Sequence, residues 1–148
     1  MLHLLRQIFF FVKLKMVNPD KYYVFYDGEC GFCNYWVSWI LKRDHKDQFM
    51  FASLQGNFGQ NFLWDRGLDR KQYNTLYLWK PESFYLVKSE AVLEIAKILG
   101  GSVGLLAKMN IFPRFFSDII YDRIAANRQK LKADCTLPTA QQRKKFVE

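Results

Sequence analysis

The sequence predicts an α/β protein with a mixed four-stranded sheet flanked by helices and a C-terminal helical extension. Three observations predict it. Short apolar runs alternate with helical patterns through the first half of the chain, the arrangement in which crossovers join parallel strands. Two later apolar runs lie only three residues apart and read as a hairpin. Two cysteines in the pattern Cys30-Gly31-Phe32-Cys33 fall where the first run gives way to the first helical pattern.

The elements follow in order. Residues 22–26, Tyr-Tyr-Val-Phe-Tyr, are continuously apolar, as expected of a strand buried on both faces. Asp27-Gly28 ends that strand. A helix is expected over 34–43, with Phe32, Tyr35, Trp36, Trp39 and Ile40 at spacings of three and four; that stripe is read as core turned inward, not as a base-stacking platform. Residues 48–52 read as a second strand. Residues 58–67 read as a second helix, with Phe62 and Leu63 inward and Gly67 as its cap. Residues 75–79 and 83–87 flank Lys80-Pro81-Glu82 as the hairpin. Ser89 is the expected N-cap of a third helix whose face is Val92, Ile95, Ala96 and Leu99, stopped by Gly100-Gly101. Pro113 suits the first turn of a last helix with Phe116, Ile119, Ile120, Ile124 and Leu131 on its apolar face. The tail from residue 133 is polar and basic apart from Cys135, Leu137, Phe146 and Val147. This order, with C-x-x-C at the start of the first helix, is a thioredoxin-like arrangement.

A chain of 148 residues suits one domain with a real core, read here as 19–148, behind an N-terminal extension over 1–18. Half of the residues are apolar, which excludes a disordered chain. Three cysteines cannot all pair and are too few to staple a secreted scaffold. They favour a reducing, cytoplasmic setting. The net charge of +8 is uneven: residues 1–21 carry four basic and one acidic residue, 22–107 nine of each, and 108–148 nine basic and four acidic. The neutral centre holds the cysteine pair. The basic ends suit a membrane surface or an acidic partner, or are simply solvated; no nucleic acid is expected. Ile8-Phe9-Phe10-Phe11-Val12 is too short to span a bilayer, which takes about 20 apolar residues. It lacks a small-residue cleavage site, so no signal peptide is expected; residues 1–15 read either as an upstream extension or as a weak interfacial helix giving peripheral membrane contact.

Two thiols spaced C-x-x-C at a strand-to-helix junction have the geometry of dithiol chemistry. A helix N-terminus carries partial positive charge and unpaired N–H groups, which favour a thiolate. Cys30 is the expected nucleophile, being nearer the helix start and, by spacing, the less buried; Cys33 is the expected resolving thiol. Zinc needs four ligands, and only Cys135, His3 and His45 remain as soft candidates, so no metal is expected. Asp27 is the third candidate site residue. It would accept a proton from Cys33, cap the helix or fix the Gly28 turn. An aspartyl phosphotransferase would need a second Asp two residues on, where Glu29 stands. Cys135 is either a third redox thiol or a small core residue.

Tyr26-Asp27-Gly28-Glu29-Cys30-Gly31-Phe32-Cys33 resembles the signature of the thiol-disulfide oxidoreductase DCC family. Phe51-Ala52-Ser53-Leu54-Gln55 resembles its second-strand motif. Lys88-Ser89 with Ala91 resembles the start of its third helix. Gly100-Gly101, Pro113, Tyr121, Ala125, Asn127-Arg128 and Cys135 with Pro138 resemble its C-terminal region. The resemblance covers about residues 22–146. It implies a thioredoxin-like fold and exchange of a dithiol with a disulfide-containing protein or small thiol substrate, without a bound cofactor. Ordinary thioredoxins hold a cis-proline against the dithiol, whereas here no proline occurs between Cys33 and Pro81. The residue facing the dithiol is expected within 71–75, which argues against general protein-disulfide reduction. The alternative function is a non-catalytic binding module that acts at a membrane surface or protein partner through its basic ends.

Overall fold

A computed structural model describes residues 1, 4–5, 17–108, 113–127, 130 and 138–148. The elements are β1 (Tyr22–Tyr26), α1 (Gly31–Arg43), β2 (Phe49–Ser53), α2 (Asn57–Asp65), β3 (Tyr77–Lys80), β4 (Phe84–Val87), α3 (Lys88–Leu99), α4 (Gly101–Lys108), α5 (Arg114–Asn127), α6 (Ala140–Arg143) and β5 (Phe146–Val147). The sheet runs β4-β3-β1-β2-β5. β1 pairs parallel with β2 and antiparallel with β3, and β3 pairs antiparallel with β4. This is a thioredoxin-like sheet.

β1 is central because both of its faces are apolar. Val24 and Tyr26 point into one core with Val37, Ile40 and Leu41 of α1 and Ala91 and Ile95 of α3. Tyr23 and Phe25 point into the other, against Phe62 and Leu63 of α2. Val17 packs on that second core, and the Asn18 amide donates to the Tyr23 hydroxyl at 2.8 Å, so the packed domain already includes them. The hairpin turn places Pro81 second and Glu82 third with φ 61°, and the Ser83 amide donates to the Lys80 carbonyl at 3.2 Å. Proline second and positive φ third are the marks of a type II turn. At the end of α2, Gly67 takes φ 63° while the Leu68 amide donates to the Leu63 carbonyl at 2.9 Å, as a left-handed helix cap requires.

Four expectations are corrected. The sheet has five strands, not four, because Phe146 and Val147 add parallel to β2. That short strand is anchored beside it: Lys145 pairs with Asp44 at 3.1 Å and Asp47 at 3.0 Å. Asp44 is buried and also accepts the amides of Gln48 and Phe49.

The aromatic stripe of α1 is core only in part, for Ile40 is buried and Trp39 packs on the first core while its outer members are not covered. Val37, Ile40 and Leu41 are buried, whereas Tyr35 and Trp36 are 44% and 42% exposed. The rings stack edge-on along the flank, Phe32 to Trp36 at 6.1 Å and Trp36 to Trp39 at 5.4 Å.

Ser89 is not the N-cap of α3. Val87 holds that position, because the Ser89 hydroxyl is spent on Asp118 of α5. Ala91 replaces Val92 on the buried face. Gly100-Gly101 does end α3, and α4 starts at once.

The apolar face of the last helix points outward. Phe116, Ile119, Ile120 and Ile124 are all exposed, and α5 meets the domain through polar groups instead. Leu131, Arg128, Cys135, His3 and the run 8–12 lie outside the described residues.

Candidate active site

The dithiol sits where β1 turns into α1. Cys30 is the N-cap residue of α1, with φ −92° and ψ 115°, and its sulfur accepts the Cys33 amide N–H at 3.4 Å. An N-cap acceptor normally carries oxygen. Here sulfur takes the place, at the end of the helix where first-turn amides lack intrahelical partners. Both cysteines carry thiols rather than a disulfide. Their exposure reverses the expectation: Cys30 is buried at 7% and Cys33 is partly exposed. The N-cap position causes this, because it seats the sulfur inside the turn beneath the first amides.

The turn itself is braced from β2. Gln55, two residues beyond that strand, donates from Nε2 to Asp27 Oδ1 at 2.6 Å and accepts the Gly28 amide on Oε1 at 3.0 Å. The Ser53 hydroxyl donates to the same Gln55 oxygen at 2.7 Å. Asp27 Oδ1 also accepts the Glu29 amide at 3.1 Å, and the Asp27 carbonyl accepts the Cys30 amide at 3.3 Å. Asn34 Nδ2 donates to the Gly28 carbonyl at 3.1 Å. Gly28 is required by contact: a Cβ there would lie 2.5 Å from Ser53 Oγ and 3.0 Å from Ser53 Cβ. Asp27 therefore fixes the turn. The helix cap that it was offered is occupied by Cys30.

Family model and fold now meet on the same residues, for the DCC1-like thiol-disulfide oxidoreductase family matches residues 24–134. The chain belongs to that family. It is 32% identical over 132 residues to the uncharacterized protein YuxK of Bacillus subtilis (strain 168), covering 87% of this chain and 95% of the relative. It is also 32% identical over 104 residues to a chloroplastic DCC family protein of Arabidopsis thaliana, covering 70% of this chain and 60% of the relative. No solved structure gives a significant match.

The quoted DCC motifs acquire roles in the structure. Ser53 and Gln55 of the second-strand motif brace the dithiol turn. Lys88, Ser89 and Tyr121 fasten α5. Lys88 pairs with Asp122 at 2.9 Å, Ser89 binds Asp118, and the Tyr121 hydroxyl accepts the Leu76 amide at 2.9 Å. Leu76 lies just before β3, and Thr75 beside it is buried. Among the described residues there is no cis peptide bond. Sequence reasoning gave Ser53 and Gln55 no role and passed over Asn34; the signal was a polar pair directly after a buried strand. Among the described residues no group of three or more His, Cys, Asp or Glu side chains is placed to hold a metal ion. A cleft of about 270 Å³ lies elsewhere, lined by Val17, Phe58, Arg66 and Trp79, and includes none of the dithiol residues.

Proposed function

We propose that this DCC-family protein exchanges the Cys30/Cys33 dithiol with a substrate disulfide. The observation that carries the reading is the Cys30 sulfur standing as N-cap of α1 with the Cys33 amide on it. The Cys30 thiolate attacks one sulfur of the substrate. The substrate S–S bond breaks, a mixed disulfide forms, and the departing thiolate takes up a proton. Cys33 then loses its proton, attacks the Cys30 sulfur and expels the second substrate thiol. Two electrons have moved to the substrate, and the protein holds a Cys30–Cys33 disulfide. The reverse sequence oxidises a substrate dithiol by the same steps. Asp27 is the proposed acceptor of the Cys33 proton, its carboxylate oriented by Gln55 and the Glu29 amide. The substrate class is a disulfide-bearing protein or a small disulfide.

A Cys33→Ser variant should retain a substrate covalently on Cys30. Iodoacetamide should label Cys30 before Cys33, since the thiolate is the reacting species. One observation favours a second reading, in which the more exposed Cys33 attacks first. Trapping on Cys33 in a Cys30→Ser variant, with faster labelling of Cys33, would exchange the two roles. A measured potential between about −270 and −120 mV fits a redox protein. No reversible disulfide at all favours the non-catalytic binding module.

A further inference from the structure

Helix α5 is amphipathic in the opposite sense from a helix packed on a core. Asp118 and Tyr121 face the domain, engaged with Ser89 and Leu76, while the exposed Asp122 pairs with Lys88 at its edge. Its apolar residues face away: Phe115 is 70% exposed, Phe116 55%, Ile119 43%, Ile120 55% and Ile124 43%. At 3.6 residues per turn these five spread over roughly half of the helix circumference. An outward row of large apolar side chains on one surface helix marks a docking surface.

We propose that the outward face of α5 docks on an anionic lipid surface. The charge of this helix and of the chain's ends selects this occupant. Both acids of α5 are engaged by Ser89 and Lys88 of the domain, while Arg123 is exposed within the apolar arc. Residues 108–148 carry nine basic and four acidic residues, and residues 1–21 four and one. A helix lying in a bilayer interface needs this combination, an apolar face buried among acyl chains and cations at headgroup level. Long cationic side chains reach the headgroups while their stems stay apolar. Spanning is not the mode, for no helix among the described residues is long and apolar enough to cross a membrane. This inference is independent of the dithiol reading.

The test is sedimentation of the full chain with vesicles of phosphatidylcholine alone and of phosphatidylcholine with an equal part of phosphatidylglycerol. The protein should bind the anionic vesicles, bind the neutral ones weakly, and release at high salt as screening shortens the electrostatic reach. The double variant Phe116→Asp with Ile120→Asp should lose at least about tenfold in binding, since it removes two large side chains from the interface and adds charge. Its melting temperature should match wild type, because both residues are exposed. Arg123→Ala gives a milder check, lowering binding to anionic vesicles only. Equal binding to both vesicles, unchanged binding by the double variant, or failure to bind either vesicle overturns the proposal. Concentration-dependent dimerisation abolished by the same double variant, without lipid binding, assigns the face to a second copy instead.

Discussion

At the scale of single residues, the site turns on one carboxylate with two jobs available to it. Asp27 holds the dithiol turn through Gln55 and the Glu29 amide, and the proposed chemistry also asks it to take the Cys33 proton. Asn at this position keeps an oxygen to accept from Gln55 and Glu29 while losing basicity. Asp27→Asn should therefore fold normally and form the mixed disulfide at nearly the wild-type rate. Its resolution step should slow by about 10²–10⁴, the usual worth of acid–base help. Single-turnover resolution of a trapped mixed disulfide checks this. A change under about threefold would leave Asp27 a turn residue only. Asp27, Cys30 and Cys33 were legible in the sequence because spacing and element boundaries place them. Exposure was not legible, since it depends on which way the N-cap sulfur turns.

At the scale of elements, strands and early helices were readable because their periods are local. β1 and β2 are apolar runs bounded by turn residues, and the observed ends shift by one residue at most in these two strands. The face of α5 and the outer part of the α1 stripe were misread for one reason. Helical spacing of apolar residues shows that a stripe exists but not what covers it. In α5 the choice was made by side chains remote in sequence: Ser89, Lys88 and the amide of Leu76 bind its polar side. The Tyr121 hydroxyl ties α5 to the residue just before β3. Tyr121→Phe leaves the Leu76 N–H without this partner, at a cost of about 1 kcal/mol and up to about 3 if no water replaces it. The expected result is a lower melting temperature by several degrees, measured by calorimetry. An unchanged value would mean that α5 is not fastened to β3 through this bond.

At the scale of the whole molecule, the sheet is closed by a contact between residues about a hundred positions apart. Hydrogen bonds from Lys145 and Lys21 hold the Asp47 carboxyl below the usual carboxylate range. Burial alone would push Lys145 down, but its hydrogen bonds to Asp47 and Asp44 raise it above the ordinary lysine value. A depressed carboxyl stabilises the fold above its unfolded value of about 4 and loses that contribution as pH falls through its folded value. A raised lysine stabilises below about 10.4 and loses its contribution as pH rises through its folded value. The gap in melting temperature between wild type and Lys145→Met should therefore be widest near neutral pH and narrow towards both extremes. A gap constant across the whole range would show that the tail is held by packing alone. This clip was invisible in the sequence, where Lys145 is one of several basic residues in a polar tail.

β5 has one further consequence. It is only two residues long, yet it occupies the hydrogen-bonding edge of β2, and the Phe51 amide donates to the Lys145 carbonyl at 2.8 Å. Lift it, and Phe49-Met50-Phe51-Ala52 becomes an uncovered apolar rim with open amides and carbonyls, a template onto which a strand from another chain can add. Loss of the lysine clip should therefore open this edge to strand addition as well as lower stability. That loss would register first as turbidity in a concentrated sample, at temperatures where the rest of the domain is still folded.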